Sequence, residues 1–274
     1  MIKYFIFIVG ILCGQLLQAQ TYEELIKKSY EYSDSSNMPA AEECLKAALR
    51  LEPANKLNFA LLTNLGTIQR HQGKFDEALI SYSAALAQRK NDELILINRA
   101  KLYSDMGETE NAISDYCILI ENYPTHEQGL YSRGLLYINT KNFIFAETDF
   151  NLIMDTYSDT FLGRLGHAIL EKARGNYDNS ETIFNYLAEK YPDNLRVLEE
   201  RAELYFLTKR NARAKTDLNK VFAIIKEPSA EMYMLRGRIK LAQYEKEAAA
   251  IDFQKARELG YDAETVDKLI KESF

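Results

Sequence analysis

The chain has 274 residues, with 40 acidic and 34 basic side chains and a net charge of −6. That mildly acidic balance lacks the electrostatic footprint of nucleic-acid binding, which is driven by phosphate neutralisation. The three histidines, His71, His126 and His167, show no metal-ligand spacing and form no cluster with a cysteine.

Residues 1–19 read as a signal peptide. Lys3 is the only charge before Glu23, an apolar run from Tyr4 to Leu12 follows, and the segment closes on Leu17, Gln18, Ala19 and Gln20. Cleavage is expected after Ala19. A retained anchor is the alternative, but the run is shorter than the roughly 20 residues needed to span a bilayer. Cys13 would suit lipid modification only behind a small residue, and Leu12 precedes it. Removing the segment leaves 33 basic and 40 acidic side chains and no stable membrane span. The Gln-Ala-Gln ending is like those of Gram-negative envelope proteins, so the expected location is the periplasm or cell envelope. Of the two remaining cysteines, Cys44 and Cys117, each reads as a small buried residue rather than half of a bridge.

From Tyr22 onward the sequence repeats. A small residue recurs at Gly66, Ala100, Gly134, Ala168, Ala202 and Gly237, close to a 34-residue grid. Four residues earlier stands Leu62, Leu96, Leu130, Leu198 or Tyr233. Three later comes Tyr103, Tyr137 or Tyr205, and twelve later Ala78, Ala112, Ala146, Ala214 or Ala249. Sixteen later comes a ring or leucine: Tyr82, Tyr116, Phe150, Phe184, Leu218 and Phe253. Pro53, Pro124 and Pro192 close units, and glycines at 73, 107 and 175 mark turns between paired helices.

This pattern closely resembles the tetratricopeptide repeat, W-x2-L-G-x2-Y followed by A-x3-F and P. The resemblance implies an all-α fold, a right-handed superhelical solenoid of helical hairpins. About seven repeats are expected over 20–263: a weak one at 22–55, then 59–92, 93–126, 127–160, 161–194, 195–229 and 230–263. Ser29 replaces the small residue in the weak copy, and Lys56, Leu57 and Asn58 read as a longer connection after it. Residues 264–274, with Val266, Leu269 and Ile270 on one side, read as the capping helix that an open solenoid end requires.

An arginine and an aspartate recur sixteen residues apart, as Arg99 with Asp115, Arg133 with Asp149, Arg201 with Asp217 and Arg236 with Asp252. The copy at 161–194 loses both, with His167 and Ile183 in their places. Joint loss points to a structural ion pair between helices, because a ladder of arginines for an acidic ligand would not need the aspartate. Asp149→Ala is therefore expected to cost more than Arg133→Leu, which restores the family's usual leucine. Gly163, Gly166 and the missing pair make 161–194 the expected soft or specialised point.

In the family, first helices line a concave groove. The corresponding positions are Leu94, Ile97 and Lys101, then Gln128, Tyr131 and Leu135, then Leu162, Leu165 and Ile169, then Arg196, Glu199 and Glu203. The middle of this face is apolar and its end acidic. Either the apolar part is an open interaction surface, or superhelical packing buries it. Asn64, Asn98 and Lys101 do not stand in register as the carboxylate clamp of some family members. No phosphate-binding loop or nucleophile elbow occurs, and Glu199, Glu200 and Glu203 read as a solvated face. The expected role is an exported, non-enzymatic scaffold for a protein or peptide, without a cofactor. The alternative is a structural subunit of an envelope or secretion assembly, and a third reading is an enzyme or sugar-binding protein on this scaffold.

Overall fold

The computed structural model describes residues 20–273, so the expected signal peptide lies outside the described residues. These hold fifteen helices and no strand, an all-α helical-repeat solenoid. No helix among them is long and apolar enough to cross a membrane. The chain divides into two compact units, the first ending at Met106 and the second beginning at Gly107.

The first unit holds α1 (Tyr22–Asp34), α2 (Met38–Leu51), α3 (Asn58–His71), α4 (Phe75–Gln88) and α5 (Glu93–Asp105). Asn58 is not part of a passive connection. It opens α3, is buried, accepts a hydrogen bond from the Tyr22 hydroxyl at 2.9 Å, and donates to the Glu52 carbonyl at 2.7 Å. A buried connector needs such partners, because an unpaired amide there costs more than the bond itself contributes. Ser29, at the weak copy's small position, is buried and returns its hydroxyl to the Ile26 carbonyl. Between α2 and α3, Glu42 is buried against Lys46 and Lys74, both at 2.7 Å. Burial opposes its charge, but the two ammonium groups and Gln69 hold the carboxyl down at about 2.

The second unit holds α6 (Thr109–Asn122), α7 (Glu127–Asn139), α8 (Phe143–Thr156), α9 (Phe161–Arg174) and α10 (Tyr177–Lys190). It continues with α11 (Leu195–Leu207), α12 (Asn211–Ile224), α13 (Ala230–Ala242), α14 (Lys246–Glu258) and α15 (Ala263–Glu272). The first helices α7, α9, α11 and α13 pack in succession, and the second helices fill the spaces between them. Several first helices start at a side chain that accepts the orphan N–H three residues on: His126, Asn194 and Ser229. α15 buries Val266 and packs Leu269 and Ile270 beside Phe253 and Met234.

Small residues permit the close helix approach. A Cβ at Gly134 would lie 2.5 Å from the Phe150 ring, and one at Gly166 would lie 2.4 Å from the same ring. Phe150 is thus held between α7 and α9. Gly163 likewise leaves room for Met154. These glycines are sites of tight packing, not of looseness.

Each hairpin turns through one left-handed residue: Ser36, Gly73, Gly107, Lys141, Gly175, Lys209 and Tyr244, with φ between 59° and 82°. The following N–H then reaches back across the turn, as Asn142 to the Tyr137 carbonyl and Arg210 to the Tyr205 carbonyl, both at 2.7 Å. The repeat demands this conformation whether or not glycine is present. A side chain makes it unfavourable by about 1 kcal/mol.

The arginines form clasps. Arg133 donates through Nε and Nη2 to both carboxylate oxygens of Asp149, at 3.0 and 2.7 Å, and through Nη1 to Cys117 Sγ at 3.3 Å. Arg201 repeats the arrangement on Asp217 at 2.7 and 2.8 Å, with Nη1 on Asn185 at 3.0 Å. Each arginine therefore joins the second helix of its own hairpin to that of the preceding one. Arg236 forks onto Asp252 at 2.8 and 2.6 Å and stacks 3.6 Å over the Phe222 ring, while Lys240 also reaches Asp252. Burial disfavours the Arg133 charge, but the Asp149 carboxylate more than reverses this and holds the guanidinium protonated. Arg99 and Asp115 fall in different units: Arg99 donates to Ser83 at 3.3 Å, and Asp115 is buried on α6.

His167 and Ile183 leave the clasp out between α8 and α10, and His167 packs edge-on to Phe150 at 5.8 Å. Burial pushes the His167 imidazole below its usual range. Other pairs hold this copy. Arg174 on α9 reaches Glu147 on α8 at 2.7 Å, and Asp159 gathers Arg164 and Lys190. The largest buried cluster of the second unit runs through it. The expectation of a soft point at 161–194 has no counterpart in the packing.

Two measurements follow from this geometry. Lys209→Gly should raise the unfolding free energy by about 1 kcal/mol in urea titration, and Gly175→Ala should lower it by a similar amount. Burial in the clasp predicts the opposite order to that expected from sequence: the Asp149 side chain is 3% exposed and that of Arg133 17%. Arg133→Leu, which strands the deeper charge, should cost about 3 kcal/mol and Asp149→Ala nearer 1, with much of the loss recovered when both are leucine. Equal midpoints for the two single variants would contradict the buried clasp.

Candidate interaction surface

The groove positions of the first helices divide into three groups. In the first unit Leu94 and Lys101 are exposed on α5 and Ile97 is half-buried. In the second unit Tyr131, Leu165 and Ile169 are buried, and Leu135 and Leu162 pack half-buried on the same cluster. The apolar middle of the expected groove is therefore interior. Its side chains are taken up by neighbouring helices because α7 and α9 approach closely at glycine.

A polar network closes this stretch. Lys172 on α9 bonds Glu200 on α11 at 2.5 Å and also pairs with Glu203. Arg196 meets the other oxygen of Glu200 at 2.7 Å. The Tyr131 hydroxyl faces Arg196 and Glu200, and burial pushes its pKa up to about 12. Lys172 and Glu200 are both 9% exposed, so the centre of the network is enclosed, while Arg196 and Glu203 at its edges are about half exposed. Sequence reasoning missed Lys172. Its signal was its groove position on α9, one helical turn beyond Ile169.

Beyond α9 the surface opens. A cavity of about 470 Å³ lies between α11 and α13, lined by Arg196, Glu199 and Glu203 on one side and by Glu231, Met234 and Arg238 on the other. Phe206 belongs both to it and to a neighbouring hollow bounded by Leu241 of α13 and Lys268 of α15. Glu199 Oε1 is enclosed and has no hydrogen-bond partner among the described residues. Burial pushes the Glu199 carboxyl up, with Arg196 opposing and Glu200 reinforcing.

These groups can hold a ligand with both polar and apolar parts. No group of three or more His, Cys, Asp or Glu side chains among the described residues could hold a metal ion. Cys44 and Cys117 are unbridged and half-buried, the latter under Arg133. Arg133, Arg201 and Arg236 are held in clasps on Asp149, Asp217 and Asp252.

Tetratricopeptide-repeat profiles match residues 26–93 and 165–221, and another matches 95–126. A crystal structure of a tetratricopeptide repeat protein from Parabacteroides merdae ATCC 43184 is 55% identical and covers 93% of this chain and 99% of its own, with a TM-score of 0.82. Two distant structures share the fold. A chain of the APC/C hetero-tetramer Cut9-Hcn1 is 13% identical over 92% of this chain and 56% of that one, with a TM-score of 0.66. PilW, a widely conserved type IV pilus biogenesis factor, is 18% identical over 79% of this chain and 100% of its own, at 0.60. None of the curated proteins matches the sequence. The repeated small-residue and ring positions, the stacked hairpins and a close relative along nearly the whole chain lead to one conclusion: this chain belongs to the tetratricopeptide-repeat family.

Proposed function

We propose that the chain is an exported, non-enzymatic scaffold that holds a segment of another protein in the cleft between α11 and α13. Tetratricopeptide repeats typically mediate protein–protein interaction, and one observation supports this cleft as the contact. The first-helix layer is closed by its own packing at α7 and α9 and opens at α11, α13 and α15. The open part combines an apolar floor with charged walls, the usual makeup of a specific binding cleft. Export rests on the reading of residues 1–19 and on the Gln-Ala-Gln ending.

A second reading, a subunit of an envelope assembly held by its outer helices, draws on α8. Ile144 is 77% exposed there and Phe145 58%, with Leu152 beside them on the same helix. Apolar side chains grouped on a surface mark contact sites.

The two readings separate by photo-crosslinking in cells, with a benzophenone residue replacing Leu207 in the cleft or Ile144 on α8. A discrete adduct from Leu207 in the envelope fraction is expected, with little from Ile144. The reverse pattern favours the assembly subunit, and recovery of the chain in the cytosol alone contradicts export.

A further inference from the structure

The cleft between α11 and α13 is acidic above an apolar floor. Two of its ionisable walls are basic, Arg196 and Arg238, against Glu199, Glu200, Glu203 and Glu231. The walls differ in how far they are already satisfied. Glu200 is neutralised by Arg196 and Lys172, and Glu203 by Lys172. Glu199 has no such partner, although its Oε1 is enclosed. Glu231 is exposed at the start of α13. A buried carboxylate without a donor is unfavourable, and a cation that meets Glu199 from the cleft it lines offsets that charge. Arg196 is committed to Glu200, so an acidic ligand finds only Arg238 there. The floor is made of Phe206, Met232, Met234 and Leu235. Methionine is unbranched and polarisable and adapts to varied apolar side chains.

Resting on the reading of this cleft as the binding site, we propose that it takes a protein segment presenting a lysine or arginine beside a bulky apolar side chain. The cation pairs with Glu199 and is drawn in by Glu231, and the apolar group lies on Met232, Met234 and Phe206. The charge selects the partner and the methionines tolerate its sequence, a division that gives specificity to charge more than to shape.

The test pans a phage library of random seven-residue peptides on the full chain. Enriched peptides should carry Lys or Arg next to Leu, Ile, Met or Phe. A fluorescein-labelled representative should bind about tenfold more weakly to Glu199→Gln and to Glu231→Lys, and more weakly as NaCl rises. Glu231 is exposed, so its reversal reports on binding even if Glu199→Gln disturbs folding. Enriched peptides that are acidic or without basic bias, or equal affinity for chain and variants, overturn the charge assignment and leave the cleft as a binding site. Enrichment no greater than on an unrelated immobilised protein overturns the cleft reading and the inference with it.

Discussion

The close approach of two helix backbones at a small residue is the constraint on which the rest depends. Gly134 and Gly166 leave space for one ring, Phe150, which then belongs to two hairpins at once. Gly66 with Tyr82 and Gly237 with Phe253 repeat the contact within their own hairpins. A single hairpin cannot bury its apolar face alone, so each ring is buried only when the next hairpin stacks. The hairpin spacing, the alignment of second helices and the register of the arginines all follow from this contact.

The arginine clasp is a consequence of that register. Sixteen residues on either side of Arg133 stand Cys117 and Asp149, and the side chain reaches both. A guanidinium suits the place because its planar fork meets a carboxylate with two parallel bonds and keeps a third N–H for another partner. Its remaining face lies over an aromatic one turn on, Tyr137 for Arg133 and Tyr205 for Arg201. At His167 the chain holds the same seam by other means, with Arg174 and Glu147 on one side and the Asp159 cluster on the other. Loss of one ion pair is compensated in position as well as in charge, so it leaves no gap in the solenoid.

The tight packing also determines where the chain can bind. Where helices approach at glycine, as at α7 and α9, the groove side chains become interior and Lys172 with Glu200 seals them. Between α11 and α13 the first helices carry Ala202 and Gly237 at the small position, and the preceding turn is one residue longer. The cleft with Glu199 and the two methionines opens there.

Helix positions, hairpin turns and ring contacts were legible in the sequence because they depend on residue type at fixed spacing along one chain. The periodicity alone identified Gly134, Phe150 and Ala146 as core, and the joint loss at His167 and Ile183 marked the arginines as interhelical. The left-handed turns at Lys141, Lys209 and Tyr244 were not legible, because no glycine announces them and the fold imposes φ from outside. Nor was the fate of Tyr131, Leu165 and Ile169: an apolar residue on the groove face reads the same whether a partner or the next helix covers it. The order of cost between Arg133 and Asp149 was likewise hidden, since it depends on which charge lies deeper. The sequence by itself determined the repeat, its helices and the pairing of charges, since each is a local spacing. Only the tertiary structure decided which side chains stay accessible, because burial is set by the distance between helices far apart in sequence.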